Sequence, residues 1–349
     1  MKTDIDFLKK LSAAFAPPSM EGEVRRLIAE KLSAAGLSPV ADRNGNLTLT
    51  VKGENSAPHI AFLAHMDEPG LMLTEAEDEY FRFEPLGRID PRVLAGRFVL
   101  LGNDETRRKG LIAAKGIHLQ DRAERRKIPK ADELYIDIGA KDGEDAAKML
   151  SVGDLGVFDT PFATFGENEA FFRGKALDGR IGCAVLTGLA CGLAQGTPAC
   201  TVSFLFLART EAVPAAAGTA LAALRPDIAV PVDAVPADDT GDCPKGVVLG
   251  GGAVLPFADK RALYDRTLHA LARETASENG IAYTVPATLG DGSDFAGLNF
   301  AGVRALLVGY PVRTAKAPVS VAAFLDVAAL ENLLSALLPR LAMFTKGEE

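Results

Sequence analysis

An apolar stretch, "HIAFLAHMDE", ends in a histidine and two acids, His65, Asp67 and Glu68. A second, "TVSFLFLARTE", ends in Glu211, and a third, "DIAVPVD", in Asp233. A fourth acid, Asp178 in "KALDGRIG", precedes a long apolar segment that reads as a helix, and a helix N-terminus tolerates an anion. In open α/β sheets, ligands gather at the carboxyl ends of the strands. One histidine and three carboxylates drawn to a single sheet edge resist ionising together unless a cation joins them. A divalent metal supplies that cation, and this donor set suits zinc, cobalt or manganese. The His-x-Asp spacing lets Asp67 accept a hydrogen bond from the far nitrogen of His65, fixing its tautomer for metal ligation. Taken singly, each residue has a plainer reading. A strand-end aspartate is commonly a cap or turn former, and a lone histidine a satisfied, half-buried one. The metal reading rests on four positions agreeing.

The elements that must position these residues alternate. Two helices open the chain, "DIDFLKKLSAAF" and "EGEVRRLIAEKLSAAG", with Pro17-Pro18 between them, Ser19 as the expected N-cap and Gly36 as the stop. The strands "NLTLTVKG" and "HIAFLAHMD" follow, the second apolar enough to lie centrally in a sheet. Beyond Gly70 the texture changes to short strands, turn residues and the charged run "DRAERRKIPKADE". The division expected is an α/β domain over 1–67 and 166–349, interrupted by a β-rich insertion at 68–165. After it come helices at 181–194, from Pro214, near 260–279 and, last, over "VAAFLDVAALENLLSALLPRLAMF", alternating with apolar strands. The fold class is therefore α/β, a mostly parallel sheet flanked by helices, with an inserted β-barrel-like domain.

Composition narrows the function. A net charge of -8 argues against nucleic acid or an anionic membrane as partner. No charge falls between Ile181 and Ala208, but "QGTP" breaks that run, so a buried helix and a buried strand fit better than a membrane span. The N-terminus lacks an apolar signal core, which points to a cytoplasmic protein. Cys183, Cys191, Cys200 and Cys243 form no CxxC pair and read as small core residues. His59 and His269 have no acidic cluster beside them and read as structural or exposed, while His118 belongs to the insertion and to packing or an interface. "LGGGAVL" lacks the Lys-Ser/Thr of a phosphate loop and reads as a close-packed turn.

Many ordered segments resemble one family, the glutamyl or deblocking aminopeptidases, dinuclear metallopeptidases that form tetrahedral particles. They include "APPSMEGEVRRLI", "AHMDEPGLML", "DPRVLAGRFVLL", "KGIHL", "DELYIDIGA", "GKALDGRIGCAVL", "RPDIAVPVD", "GSDFAGL" and "YPVR". The resemblance implies a zinc-peptidase domain interrupted by a dimerisation domain, dimers that build a homo-oligomer up to a dodecamer, and a peptide as substrate. It makes His65, Asp178, Glu211 and Asp233 metal ligands, with Asp178 bridging two ions and Asp67 beside them. Asp294 in "GSDFAG" aligns with the family's Gly-Thr-Asp and is expected to line the site.

Three positions depart from the family pattern. Without gaps from Val202 to Asp233, Thr210 stands where the family carries its general-base glutamate. In "VRTAKAP", Lys316 stands where the family carries its last histidine ligand, and no histidine follows His269. Gly179 replaces an Asp or Asn next to the bridging aspartate. A threonine hydroxyl has no useful basicity near neutral pH, and losing a general base typically lowers a rate about 10²–10⁴-fold. By resemblance, His65, Asp178 and Asp233 keep one metal site, while the site of Asp178 and Glu211 lacks its histidine. One metal site is therefore expected rather than two. A lysine ammonium offers three donors and a positive charge. It is expected to occupy the missing ion's space against Glu211 and Asp178, or else to point into solvent. Glu68 is a weak substitute base. The functions left open are a slow metallo-aminopeptidase, a non-catalytic peptide-binding or co-assembling relative, and a different one-metal hydrolase.

Overall fold

The computed structural model describes residues 3–53, 57–241, 246–287, 289, 295 and 298–344, so Cys243 and Asp294 lie outside the described residues. The chain opens with α1 (Ile5–Ala13), whose N-terminus is closed by the Asp4 carboxylate accepting the Phe7 N–H at 3.0 Å. In α2 (Gly22–Ala34) the expected cap is displaced. Ser19 turns the chain with φ 79°, and Glu21 occupies the N-cap position. Strands β1 (Val40–Ala41), β2 (Leu47–Val51) and β3 (Ile60–His65) follow, and every residue of β3 is buried.

Six strands then close into an antiparallel barrel. They are β4 (Gly70–Glu77), β5 (Tyr80–Leu86), β6 (Phe98–Gly102), β7 (Arg107–Ala113), β8 (Tyr135–Asp137) and β9 (Leu155–Phe158), in the order β4-β5-β8-β7-β6-β9. Closure removes the open edges that such short strands would otherwise expose. Helix α3 (Gly143–Met149) packs on the barrel, whose separate core includes Leu71, Phe81, Phe83, Leu101 and Ile136.

The chain returns through β10 (Ala163–Phe165) and β11 (Phe171–Gly174) to α4 (Leu177–Leu193), β12 (Val202–Leu207), α5 (Ala216–Leu224) and β13 (Ile228–Pro236). It ends with β14 (Ala253–Val254), α6 (Arg266–Glu278), β15 (Tyr283–Thr284), β16 (Arg304–Ala305), β17 (Val308–Val312), β18 (Ser320–Ala323) and α7 (Phe324–Ala342). The main sheet runs β1-β2-β12-β3-β13-β17-β14-β15, with β16 beside β13. Its centre, β12-β3-β13-β17, is parallel, so these strands all end at one edge. Register sharpens the convergence, because Leu207 pairs with His65.

Two boundaries differ from the sequence reading. Helix α4 starts at Leu177, which places Asp178 inside its first turn rather than ahead of it. The stretch ahead of α7 is first a strand, β18, paired with β11. The uncharged run divides into α4 and β12, and no helix among the described residues is long and apolar enough to cross a membrane.

The glycine turn "LGGGAVL" carries its own anion. The amides of Gly250 and Gly252 each donate to the carboxylate of Asp326, in the first turn of α7, at 2.8 Å. Gly252 has φ 91°, and a Cβ there would lie 2.1 Å from the Ala282 carbonyl oxygen, so only glycine fits. Burial pushes the Asp326 carboxyl up to about 6, against the two amide bonds that favour its ionised form. A folded-state value above the unfolded one makes the native state the better proton binder, so this group favours folding more as pH falls from about 6 towards 4. Relative to an Asp326→Asn variant, the unmodified protein gains about 1 kcal/mol of stability between pH 7.5 and pH 5. Paired urea titrations at the two pH values check this, and an unchanged difference contradicts it.

Candidate functional site

Four buried groups meet at the sheet edge. Ligand atoms of His65, Asp178 and Glu211 all lie within 4.8 Å of one another. The Asp233 carboxylate lies 3.7 Å from His65 Nε2. On the other side of the ring, His65 Nδ1 is 3.2 Å from the Asp67 carbonyl oxygen and 3.5 Å from its carboxylate. A proton on Nδ1 satisfies Asp67 and turns the Nε2 lone pair towards the acids. Asp178 Oδ2 is buried with no hydrogen-bond partner among the described residues. An orphaned carboxylate oxygen beside an imidazole nitrogen and further carboxylates is a donor set that fits a divalent cation.

Asp67 is the clamp of the next loop. One carboxylate oxygen accepts the Thr210 hydroxyl at 2.8 Å, and the other accepts the Glu211 N–H at 2.7 Å. Burial alone would raise the Asp67 carboxyl, but the His65 hydrogen bond and charge, the Glu211 amide and the Thr210 hydroxyl hold it below the ordinary aspartate value. Thr210 is completely buried and spends its proton on Asp67. Glu211 meets a different cation, for Lys316 Nζ stands 2.9 Å from its Oε2, with the carboxylate side chain 1% exposed and the lysine 23%.

Non-glycine residues around this site adopt the left-handed backbone, among them Ala176 (φ 57°), Arg209 (φ 64°), Thr314 (φ 54°) and Lys316 (φ 61°). Each such residue costs about 1–3 kcal/mol and persists where its surroundings over-determine it. Around Arg209 the restraint is visible. Its N–H donates to Glu21 Oε1 at 2.9 Å, and Glu21 also accepts the Ser19 N–H at 2.8 Å. Burial and then the Asp67 charge push the Glu21 carboxyl up. Tyr310, fully buried on β17, donates its hydroxyl to the Asp178 carbonyl oxygen and accepts the Gly182 N–H at 3.3 Å, holding the first turn of α4. Burial and the charges of Asp233 and Asp178 push that phenol well above its usual value, so it stays a donor. No motif in the sequence marks Glu21 or Tyr310. Both lie in segments quoted above, "PPSMEGE" and "YPVR", but the signal in each is only a polar group beside an apolar run.

Other candidates sit elsewhere. Glu68 points into a buried ionic cluster, where Oε1 accepts Lys175 Nζ at 2.6 Å, Arg180 Nη2 at 3.1 Å and the Ala16 N–H at 3.3 Å. Gly179 is the floor under His65, since a Cβ there would lie 2.6 Å from His65 Cε1 and from its carbonyl oxygen. The Cys183 thiol donates to the same carbonyl at 3.1 Å, and burial pushes it up to about 12, which removes it as a nucleophile. His59 bonds Ser203 Oγ at 2.9 Å, His269 is buried against the Leu255 carbonyl, and His118 is exposed on the barrel. The barrel reaches the site through the loop after β5, where Gly87 (φ 91°) packs on Glu211. Beside these groups opens a cavity of about 610 Å³ whose lining includes Asp178, Asp233, Lys316 and Arg88.

A family model described as M42 glutamyl aminopeptidase matches residues 45–333. A relative from Acetivibrio thermocellus is 29% identical over 326 residues, 92% of this chain and 94% of its own length. The TET aminopeptidase from the marine sediment archaeon Thaumarchaeota archaeon SCGC AB-539-E09 is similar with a TM-score of 0.91 at 27% identity, covering 96% of each chain. The TET1 peptidase of Pyrococcus horikoshii, which can assemble into a tetrahedron or a large octahedral shell, is similar with a TM-score of 0.86 at 28% identity, over 96% of this chain and 98% of that one.

Proposed function

We propose that this chain, which belongs to the M42 glutamyl aminopeptidase family, binds the amino terminus of a peptide at a site whose hydrolytic chemistry is weak or lost. The observation that supports this most is the pairing of Lys316 with Glu211 at 2.9 Å, next to a Thr210 hydroxyl already donated to Asp67. His65, Asp178 and Asp233 would hold one divalent cation, leaving Glu211 to the ammonium. That ion, when bound, would supply Lewis-acid polarisation of a peptide carbonyl and an anchor for the amine. The chain's own groups do the rest. Asp67 fixes the His65 tautomer, Lys316 neutralises Glu211, and the cavity seats the peptide. Thr210, at the position of the family's general base, has no useful basicity with which to take a proton from water.

Gly179 makes the pocket testable without catalysis. Gly179→Ala drives a methyl group against His65, and zinc affinity falls about 10–100-fold. Calorimetric titration with zinc checks this, and unchanged affinity in a folded variant contradicts the role of His65 as ligand.

The barrel, over 68–165, is proposed as the dimerisation unit of a homo-oligomer. Phe98, Ile117, Leu119 and Ile128 are exposed there, an apolar set of the kind that partners cover. This favours a second reading in which the chain acts as a co-assembling subunit. The test of function is a panel of aminoacyl-p-nitroanilides and short peptides, with zinc, cobalt or manganese added and a chelated control. Turnover is expected to be at least about 10²-fold below ordinary enzyme turnover numbers, which are typically about 1–10³ per second. Chelator-sensitive turnover at ordinary rates overturns the proposal.

A further inference from the structure

The cavity beside the site is lined by the site's own acids and by many apolar side chains. Of the 22 described residues that line it, 13 are Ala, Val, Leu or Pro, among them Val235, Val247, Pro256, Ala258, Leu289 and Leu307. Among the described lining residues five are acids, Asp90, Asp178, Asp233, Asp238 and Asp259, against the two cations Arg88 and Lys316. The three wall acids are committed to their own loops. Asp238 Oδ1 accepts the Gly246 and Val247 amides at 3.1 and 2.6 Å. Asp259 accepts the Arg261 and Ala262 amides at 2.7 and 2.8 Å and the Tyr264 hydroxyl at 2.7 Å. Asp90 takes the amide and guanidinium of Arg92.

We infer that this cavity seats a neutral, apolar side chain of the peptide's first residue and disfavours both acidic and basic ones. The inference rests on the proposed binding of a peptide amino terminus. An acidic side chain would add a negative charge to a wall where acids already outnumber cations. A basic one would lose its hydration among apolar side chains, while Asp178 and Asp233 are assigned to the cation and Asp90, Asp238 and Asp259 already accept hydrogen bonds from Arg92, from two amides, and from two amides and a hydroxyl. An apolar one removes its own surface and that of the wall from water together.

The test is calorimetric titration of the full-length, zinc-supplemented protein with Leu-Gly, Phe-Gly, Glu-Gly, Lys-Gly and N-acetyl-Leu-Gly. Leu-Gly and Phe-Gly are expected to bind about tenfold or more tightly than Glu-Gly and Lys-Gly, with acetylation abolishing binding. Glu-Gly or Lys-Gly binding as tightly as Leu-Gly overturns the apolar seat and leaves the amino-terminus reading standing. Equal binding of the acetylated peptide, or no binding by any peptide, overturns that reading itself. Ala258→Asp locates the seat and is expected to raise the affinity for Lys-Gly relative to Leu-Gly about tenfold. Should it not fold, Leu289→Asp, at a position 60% exposed, places the charge at the rim. An unchanged ranking in a folded variant removes the side chain from this cavity.

Discussion

Replacing Thr210 by glutamate and Lys316 by histidine together raises chelator-sensitive aminopeptidase turnover about 10²–10⁴-fold over the unmodified protein, the range a positioned general base contributes. Neither replacement alone does so. Lys316→His removes the ammonium from Glu211 and gives that carboxylate a neutral imidazole as neighbour, the donor type that a second cation needs. A second ion without a base still lacks a proton acceptor. Thr210→Glu supplies one, but in the presence of Lys316 the new carboxylate adds to an acidic pocket whose second cation remains a lysine. The two effects are therefore strongly non-additive, the signature of residues that act as a unit. Thr210 is completely buried, so the glutamate must displace its surroundings. Circular dichroism and the oligomeric state are to be matched before rates are compared. Full activity from Lys316→His alone means that another group serves as base. No gain from a folded double variant, with two zinc ions bound, means that the defect lies elsewhere.

The second large effect concerns stability. Glu68→Ala lowers the unfolding free energy by about 3–5 kcal/mol, because it leaves two buried cations without their anion. Lys175 and Arg180 both reach Glu68 Oε1, and their side chains are 5% and 0% exposed. Around them the cluster ties the loop after β3 to α1 and α4, since Lys175 also donates to the Ala14 carbonyl and Arg180 to the Leu11 carbonyl. Burial lowers the Lys175 ammonium already, with Glu68 as the main opposing attraction. Without that carboxylate the lysine sheds its proton more readily, so the loss in Glu68→Ala grows as pH falls. Urea unfolding of Glu68→Ala and of Glu68→Ala/Lys175→Met separates the terms. The double variant is expected to recover part of the loss. A loss under about 1 kcal/mol in the single variant would make the cluster an ordinary surface-like pair.

Much of this site can be read from residue order, and the reason is geometric. Apolar strands in a parallel sheet end together, so an acid or histidine just past each one is carried to a common edge. His65, Glu211 and Asp233 follow that rule. Asp178 needed more, because the start of α4 is set by Ala176 in the left-handed region and by Tyr310 holding the first turn, neither of which has a pattern in sequence. Ser19 reads as a cap by residue type, yet the turn after Pro17-Pro18 delivers Glu21 to that place instead, and the carboxylate serves Arg209, far along the chain. The strand character of β18 comes from its partner β11, a non-local pairing that local apolarity cannot distinguish from helix. The direction of Lys316 depends on one backbone angle, φ 61°, for which lysine has no intrinsic preference.

Central to the account is that an ammonium stands where a second ion would. The direct measurement is a crystal structure of the protein grown in excess zinc, with anomalous scattering used to count ions per chain. One zinc bound by His65, Asp178 and Asp233, with Lys316 still against Glu211, is the expected result. Two fully occupied zinc ions, with Lys316 displaced from Glu211, would contradict it.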